Sequence, residues 1–199
     1  MSAYIKGGIV VLVLAVVAYI FYRLYEPKLP ANQSPAAFKL ISEMESVGVP
    51  DFSLERLDGT KFTLSELKGK MIIVNFWASW CNPCVEEFSS MVALAEKMKG
   101  ELVVVAVSAD EHRGDVETFM KLFSLPKPGF EIVWDRDKKV SDMYGVGKIP
   151  ESYIVTPNFK LVRKILGVEK WDSEDAIQYF RYLKAGKPAT VPGATSGGH

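Results

Sequence analysis

Two short, nearly continuous apolar runs, 71–77 and 102–107, constrain this chain more than any other feature. Runs of that length and density suit strands covered on both faces. Between them, over 83–98, Val85, Phe88, Met91, Val92, Leu94, Ala95 and Met98 recur at helical spacing. A second amphipathic stretch spans 115–123. Residues 152–155 and 160–165 read as a hairpin around the turn Thr156-Pro157-Asn158-Phe159. Residues 171–183 read as a final helix, capped by Asp172 or Ser173. Strand, helix, strand, hairpin and helix predict an α/β fold, a mixed sheet with helices on both faces.

Ahead of this pattern, 7–22 is an unbroken apolar or small run between Lys6 and Arg23. Tyr4, Ile5, Leu24 and Tyr25 extend it to about 20 residues, the length a bilayer core asks of a helix. Tyr19, Phe21, Tyr22 and Tyr25 would form an aromatic belt. A cleaved signal peptide is the alternative, but no Ala-x-Ala site follows the run. The segment 4–25 is therefore expected to be a single transmembrane anchor. Flanking charges are balanced and leave topology open; the tiny N-terminal segment and the redox pair described below favour a domain outside the cytoplasm. Three prolines within 27–37 mark a linker, taken as 26–48, with some helical character over 37–47. The domain is expected over 49–185, large enough to bury about two-thirds of its unfolded surface. The stretch 186–199, rich in Gly, Pro, Ala, Ser and Thr, reads as a disordered tail.

Lysine plus arginine equals aspartate plus glutamate, 24 each. A nucleic-acid binder would show a basic excess or stripe, and none is visible. The only cysteines are Cys81 and Cys84. A disulfide scaffold would use more, widely spread, and a four-cysteine zinc site is impossible by count. Three readings remain: buried structural thiols, zinc ligands or a redox dithiol. Position favours the last. Cys81 closely follows an apolar strand, and Pro83 fits the first turn of a helix, where its missing N–H costs nothing. The unpaired amides and positive dipole end of a helix N-terminus stabilise a thiolate, the attacking species in disulfide exchange. Two intervening residues put Cys84 on the same face, within disulfide reach. The expected redox group is the Cys81–Cys84 disulfide itself, with no further cofactor and no metal.

Several separated motifs occur in order: Pro50-Asp51-Phe52-Ser53-Leu54, Leu57-Asp58-Gly59, 64–70, 74–88 with Trp80-Cys81-Asn82-Pro83-Cys84 at its centre, Tyr144-Gly145-Val146, and Ile149-Pro150-Glu151-Ser152-Tyr153-Ile154-Val155 on to Gly167. Together they closely resemble the TlpA/ResA/CcmG (DsbE) family of thioredoxin-like proteins, over about 49–185. The resemblance implies a thioredoxin fold with extra N-terminal strands. It implies a cis Ile149–Pro150 peptide packed against the cysteines, in a loop that pairs with the client's backbone beside Cys81. The expected client contacts are Trp80, Asn82, Pro83, Ile149, Pro150 and Glu151, with Trp77 also packed around the site. Thioredoxin's buried aspartate is matched here by Asn75, an amide. Relatives often carry a glutamate matched by Glu87, which would manage the proton of Cys84; the alternative is a solvated acid complementing the helix dipole, the reading preferred for Glu86. Glu151 resembles the cytochrome-maturation branch or is a plain surface acid. His112 lies in a polar loop and reads as solvated.

The resemblance implies an extracytoplasmic protein-disulfide reductase, held in the bacterial cytoplasmic membrane by a single-pass anchor with its domain on the periplasmic side. Its clients would be protein disulfides, apocytochrome c CxxCH pairs among them, and its electrons would come from a DsbD- or CcdA-type membrane donor. A thiol oxidase or isomerase, a non-catalytic binding module and a peroxiredoxin-type peroxidase are the competing readings.

Overall fold

In a computed structural model the chain is described over residues 2–25, 34–125 and 127–186. Most of the linker's prolines and the expected tail beyond 186 lie outside the described residues. The elements are α1 (Ser2–Tyr25), α2 (Pro35–Ser46), β1 (Ser53–Arg56), β2 (Lys61–Thr63), a 3-10 turn (Leu64–Leu67), β3 (Met71–Trp77), α3 (Asn82–Lys97), β4 (Leu102–Ser108), α4 (Arg113–Leu122), β5 (Phe130–Trp134), α5 (Lys139–Met143), β6 (Glu151–Val155), β7 (Leu161–Leu166) and α6 (Glu174–Lys184). The seven strands form one mixed sheet in the order β2-β1-β5-β4-β3-β6-β7. The two apolar runs become β3 and β4, parallel neighbours buried along their whole length.

The period of two along β3 sorts its side chains between two cores. Met71, Ile73 and Trp77 pack with α3, α4 and α6, while Ile72, Val74 and Phe76 pack with α2, α5 and the N-terminal hairpin. Asn75 therefore falls on the α3 face, a buried amide in a strand that is otherwise apolar. On the same face Phe88 of α3 sits among Trp77, Phe119, Phe123 and Phe130, at ring separations of 4.7–5.2 Å.

Four elements depart from the sequence reading. The final helix starts at Glu174 rather than 171, because Ser173 caps it by accepting from the Ala176 amide; Trp171 lies outside the helix. Strand β5 and the short α5 had no periodic signal of their own. Part of the expected linker is α2, capped by Ser34, which buries Met44 in the Phe76 core and so carries the packed unit N-terminal of residue 49.

Among the described residues no helix is long and apolar enough to cross a membrane, so the structure does not show the transmembrane anchor expected over 4–25. Within α1 the side chains described are those at 8 and 12–22, and they are exposed.

Helix α2 also reaches Gly145, which has φ +65° and would place a Cβ 2.9 Å from Leu40 Cδ2. Gly145→Ala is expected to lose about 1–2 kcal/mol, the cost of holding an L-residue in the left-handed region. The leucine methyl can move aside, so backbone strain dominates. Urea unfolding measures the loss.

Candidate active site

The site forms where β3 hands the chain to α3. The Cys81 amide donates to Ala78 O (3.1 Å), closing a turn, and the Ala109 amide ties β4 to Trp77 O (2.9 Å). Asp110 secures this turn. Its fully buried carboxylate accepts from the Ser79 amide (3.0 Å), the Ser79 hydroxyl (2.7 Å) and the Ser108 hydroxyl (2.7 Å). Its own carbonyl accepts from Trp134 Nε1 at 2.8 Å. Donors thus surround a carboxylate that has no cationic partner among these contacts. The sequence reading did not include it, although a polar pair at the end of an apolar strand, Ser108 and Asp110, was a usable signal.

Cys81 is the N-cap residue of α3, and its side chain makes no capping hydrogen bond. Its Sγ is bonded to that of Cys84, with the Cα atoms 5.3 Å apart. The two sulfurs are not equivalent. Cys81 is 6% exposed and Cys84 fully buried, so only Cys81 can meet a partner.

Cys81 opens into a groove of about 620 Å³. Trp80, Asn82 and Pro83 line it beside the cysteine; Val146, Gly147, Lys148 and Ile149 line it from the loop ahead of β6. The Ile149–Pro150 peptide is cis. Trp80 is 66% exposed, an apolar ring offered to solvent. Trp77 is buried against Phe88 and Phe119, beneath the site rather than at its mouth. Glu151 does not line the groove. It is buried on the Phe76 side of the sheet, opposite Phe76 in the β3–β6 register, so it is not a surface acid. Glu86 is exposed on α3, on a solvated face as expected. His112 is exposed, at the start of α4.

Glu87 is buried, one turn beyond Cys84 on the inward face of α3. Its carboxylate accepts from Asn75 Nδ2 (3.1 Å), the Glu169 amide (3.2 Å) and Trp171 Nε1 (3.1 Å). Asn75 Nδ2 also donates to Ser152 Oγ at 2.9 Å. Burial raises the Glu87 pKa above the ordinary glutamate value; the hydrogen bonds from Trp171, the Glu169 amide and Asn75 pull it back, and the nearby charge of Glu169 adds to the rise. The solvated alternative for Glu87 is thereby excluded. The sequence reading singled out Asn75 and Glu87 but not that they touch, nor that Trp171 and Glu169 complete the set.

Among the described residues no cluster of three histidines, cysteines or acids is arranged to hold a metal ion. The arrangement brings together a sulfur at a helix N-terminus facing a groove, a second sulfur shielded behind it, and a carboxyl group of raised pKa a turn deeper. That set can attack a disulfide, resolve the mixed disulfide and store a proton.

A model of the AhpC/TSA family matches residues 47–164. The thiol-disulfide oxidoreductase ResA of Bacillus subtilis (strain 168) is 32% identical over 196 residues, covering 98% of this chain and 96% of its own. ResA of Geobacillus thermodenitrificans is 35% identical over 136 residues, 68% of this chain and 75% of its own. Among solved structures, a putative thiol:disulfide interchange protein DsbE from Chlorobium tepidum superposes with a TM-score of 0.60 at 30% identity, over 69% of this chain and 94% of that one.

Proposed function

The chain belongs to the AhpC/TSA family, among the ResA-type thiol-disulfide oxidoreductases, and from that premise we propose that it is a reductase of protein disulfides working outside the cytoplasm. The observation that carries this is the asymmetry of the pair: Cys81 meets the groove and Cys84 is shut behind it. The Cys81 thiolate attacks a client disulfide, forming a mixed disulfide and releasing one client sulfur as thiolate. The Cys84 thiolate then attacks Cys81 Sγ, the mixed disulfide breaks, and the second client sulfur leaves. Glu87 accepts the proton that Cys84 gives up, and returns one when a donor dithiol of DsbD or CcdA type reduces the Cys81–Cys84 disulfide again. No other cofactor is needed. The client's backbone lies in the groove along Ile149–Pro150, with Trp80, Asn82 and Pro83 against its side chains.

We read residues 4–25 as the anchor in the cytoplasmic membrane. The exposed apolar side chains of α1, among them Leu12, Val16 and Ile20, support this. Tethering raises the effective concentration of the domain near membrane donors and clients. Apocytochrome c CxxCH pairs are the favoured clients. A peroxidase is disfavoured, because a peroxidatic cysteine would not need this CxxC spacing.

Cys84→Ala tests the proposal. Expressed in native membranes it should accumulate mixed disulfides through Cys81, because the resolving thiol is gone. Captured apocytochromes support the reductase. A broad set of secreted proteins transfers the chain to the oxidase or isomerase class.

A further inference from the structure

Lys164 lies on edge strand β7, yet its ammonium turns inward. Its side chain is only 12% exposed, and Nζ sits 2.7 Å from Oε1 of Glu151. The register explains the contact: Lys164 pairs with Tyr153 and Glu151 with Leu166, so Lys164 and Glu151 are diagonal neighbours on one face of the sheet. Nζ also lies 5.2 Å over the Tyr153 ring.

Both charged groups then reach beyond the sheet to one segment. Lys164 Nζ donates to Gly145 O (3.4 Å), and Glu151 Oε2 accepts from the Gly147 amide (3.4 Å). The Tyr153 hydroxyl bonds Tyr144 O at 2.6 Å. The segment so held, 145–149, supplies Val146, Gly147, Lys148 and Ile149 to the groove that Cys81 faces. A buried ion pair is a poor source of stability, since replacing both partners with neutral groups is often harmless or favourable. Glu151 Oε1 also accepts from the Tyr153 hydroxyl at 2.5 Å, and beyond Tyr153 the pair's contacts here are with the wall of the groove.

We propose that Lys164 and Glu151 are positioning residues that hold the 145–149 wall in the shape a polypeptide client requires, and so set the preference for protein disulfides over small ones. A small disulfide needs only the Cys81 sulfur, whereas a polypeptide must also lie along the wall. The inference rests on the groove being the client site.

The double variant Glu151→Gln/Lys164→Met tests it, since it leaves no lone buried charge. The ratio of kcat/KM for a protein disulfide to that for a small aromatic disulfide is expected to fall about tenfold, chiefly through a higher KM for the protein. The Gly147 amide should exchange with solvent faster in the double variant, and Lys164→Arg alone, which keeps the cation, should retain much of the wild-type ratio. Equal losses on both substrates, or an unchanged ratio, would overturn the proposal. Should the double variant unfold, Glu151→Asp, which keeps the charge but draws the carboxylate back from Lys164 and the Gly147 amide, is read by the same ratio. Trp80→Ala separates the two levels: if it too leaves the ratio unchanged, the reading of the groove as client site fails; if it lowers the ratio while the double variant does not, only the positioning role fails.

Discussion

Cys81→Ser is expected to reduce disulfide exchange to background with every substrate, large or small, a loss on the order of 10⁴- to 10⁶-fold, the scale seen when a covalent nucleophile is removed. A serine hydroxyl is a weak nucleophile at neutral pH and has no base beside it to activate it. The contacts around residue 81 are backbone ones: its amide to Ala78 O, and its carbonyl to the Val85 amide at 3.1 Å. Serine should keep both, so the variant should fold. Cys84 cannot take over, because it is fully buried while Cys81 is not. The remaining thiol should therefore form no adduct with a protein client and react only slowly with small thiol reagents. Turnover and thiol-labelling assays on the purified variant decide the matter. Appreciable exchange through Cys84 would mean that the helix end opens far enough to reverse the roles of the two sulfurs.

The part of the site that was legible in the sequence is its local part. Cys81, Pro83 and the spacing of Val85, Phe88 and Met91 announce a helix start within a few residues, and α3 begins at Asn82 with Cys81 as its cap. The apolar runs of β3 and β4 are equally local, being buried on both faces. What escaped the reading is carried by contacts between distant positions. Trp171 and Glu169 meet Glu87 across sequence separations of 84 and 82, and Trp171 looked like the first residue of a helix because its apolar ring continued the helical spacing. Lys164 reads as an ordinary polar residue of an edge strand until the β6–β7 register sets it diagonal to Glu151. Asp110 has no spacing rule that would connect it to Ser79. Strand β5 has only five residues and follows a stretch containing Pro126, Pro128 and Gly129, a segment that reads locally as a turn. In each case the residue type was visible, and its partner depended on topology.

Glu87→Gln should separate proton handling from sulfur chemistry. Attack by Cys81 should be little changed, while resolution of the mixed disulfide should slow by about 10²-fold, the lower end of what general acid–base catalysis contributes. The two forms should also differ in pH dependence. Burial keeps Glu87 protonated above 4.5, its ordinary value, with the charge of Glu169 acting in the same direction. Its basic form therefore develops only at higher pH. The wild-type resolution rate should climb through that range, and the glutamine variant should lack that step. Stability carries the same signature. A carboxyl whose folded pKa is raised contributes stability that is complete below 4.5 and is lost as pH rises through the folded value. Wild-type unfolding free energy should fall over that interval, and the variant's should not. Glutamine brings a separate cost, because its NH₂ must face one of the donors that now meet the carboxylate, Asn75, Trp171 or the Glu169 amide; about 1–3 kcal/mol should be lost at all pH values alike. That uniform loss marks the structural role and the missing slope marks the titration. Rapid-mixing kinetics and urea unfolding, each followed from mildly acidic to mildly basic pH, measure both. A resolution rate whose pH profile is the same in the two forms would remove Glu87 from the proton path and leave it a buried acid that braces Trp171 against α3.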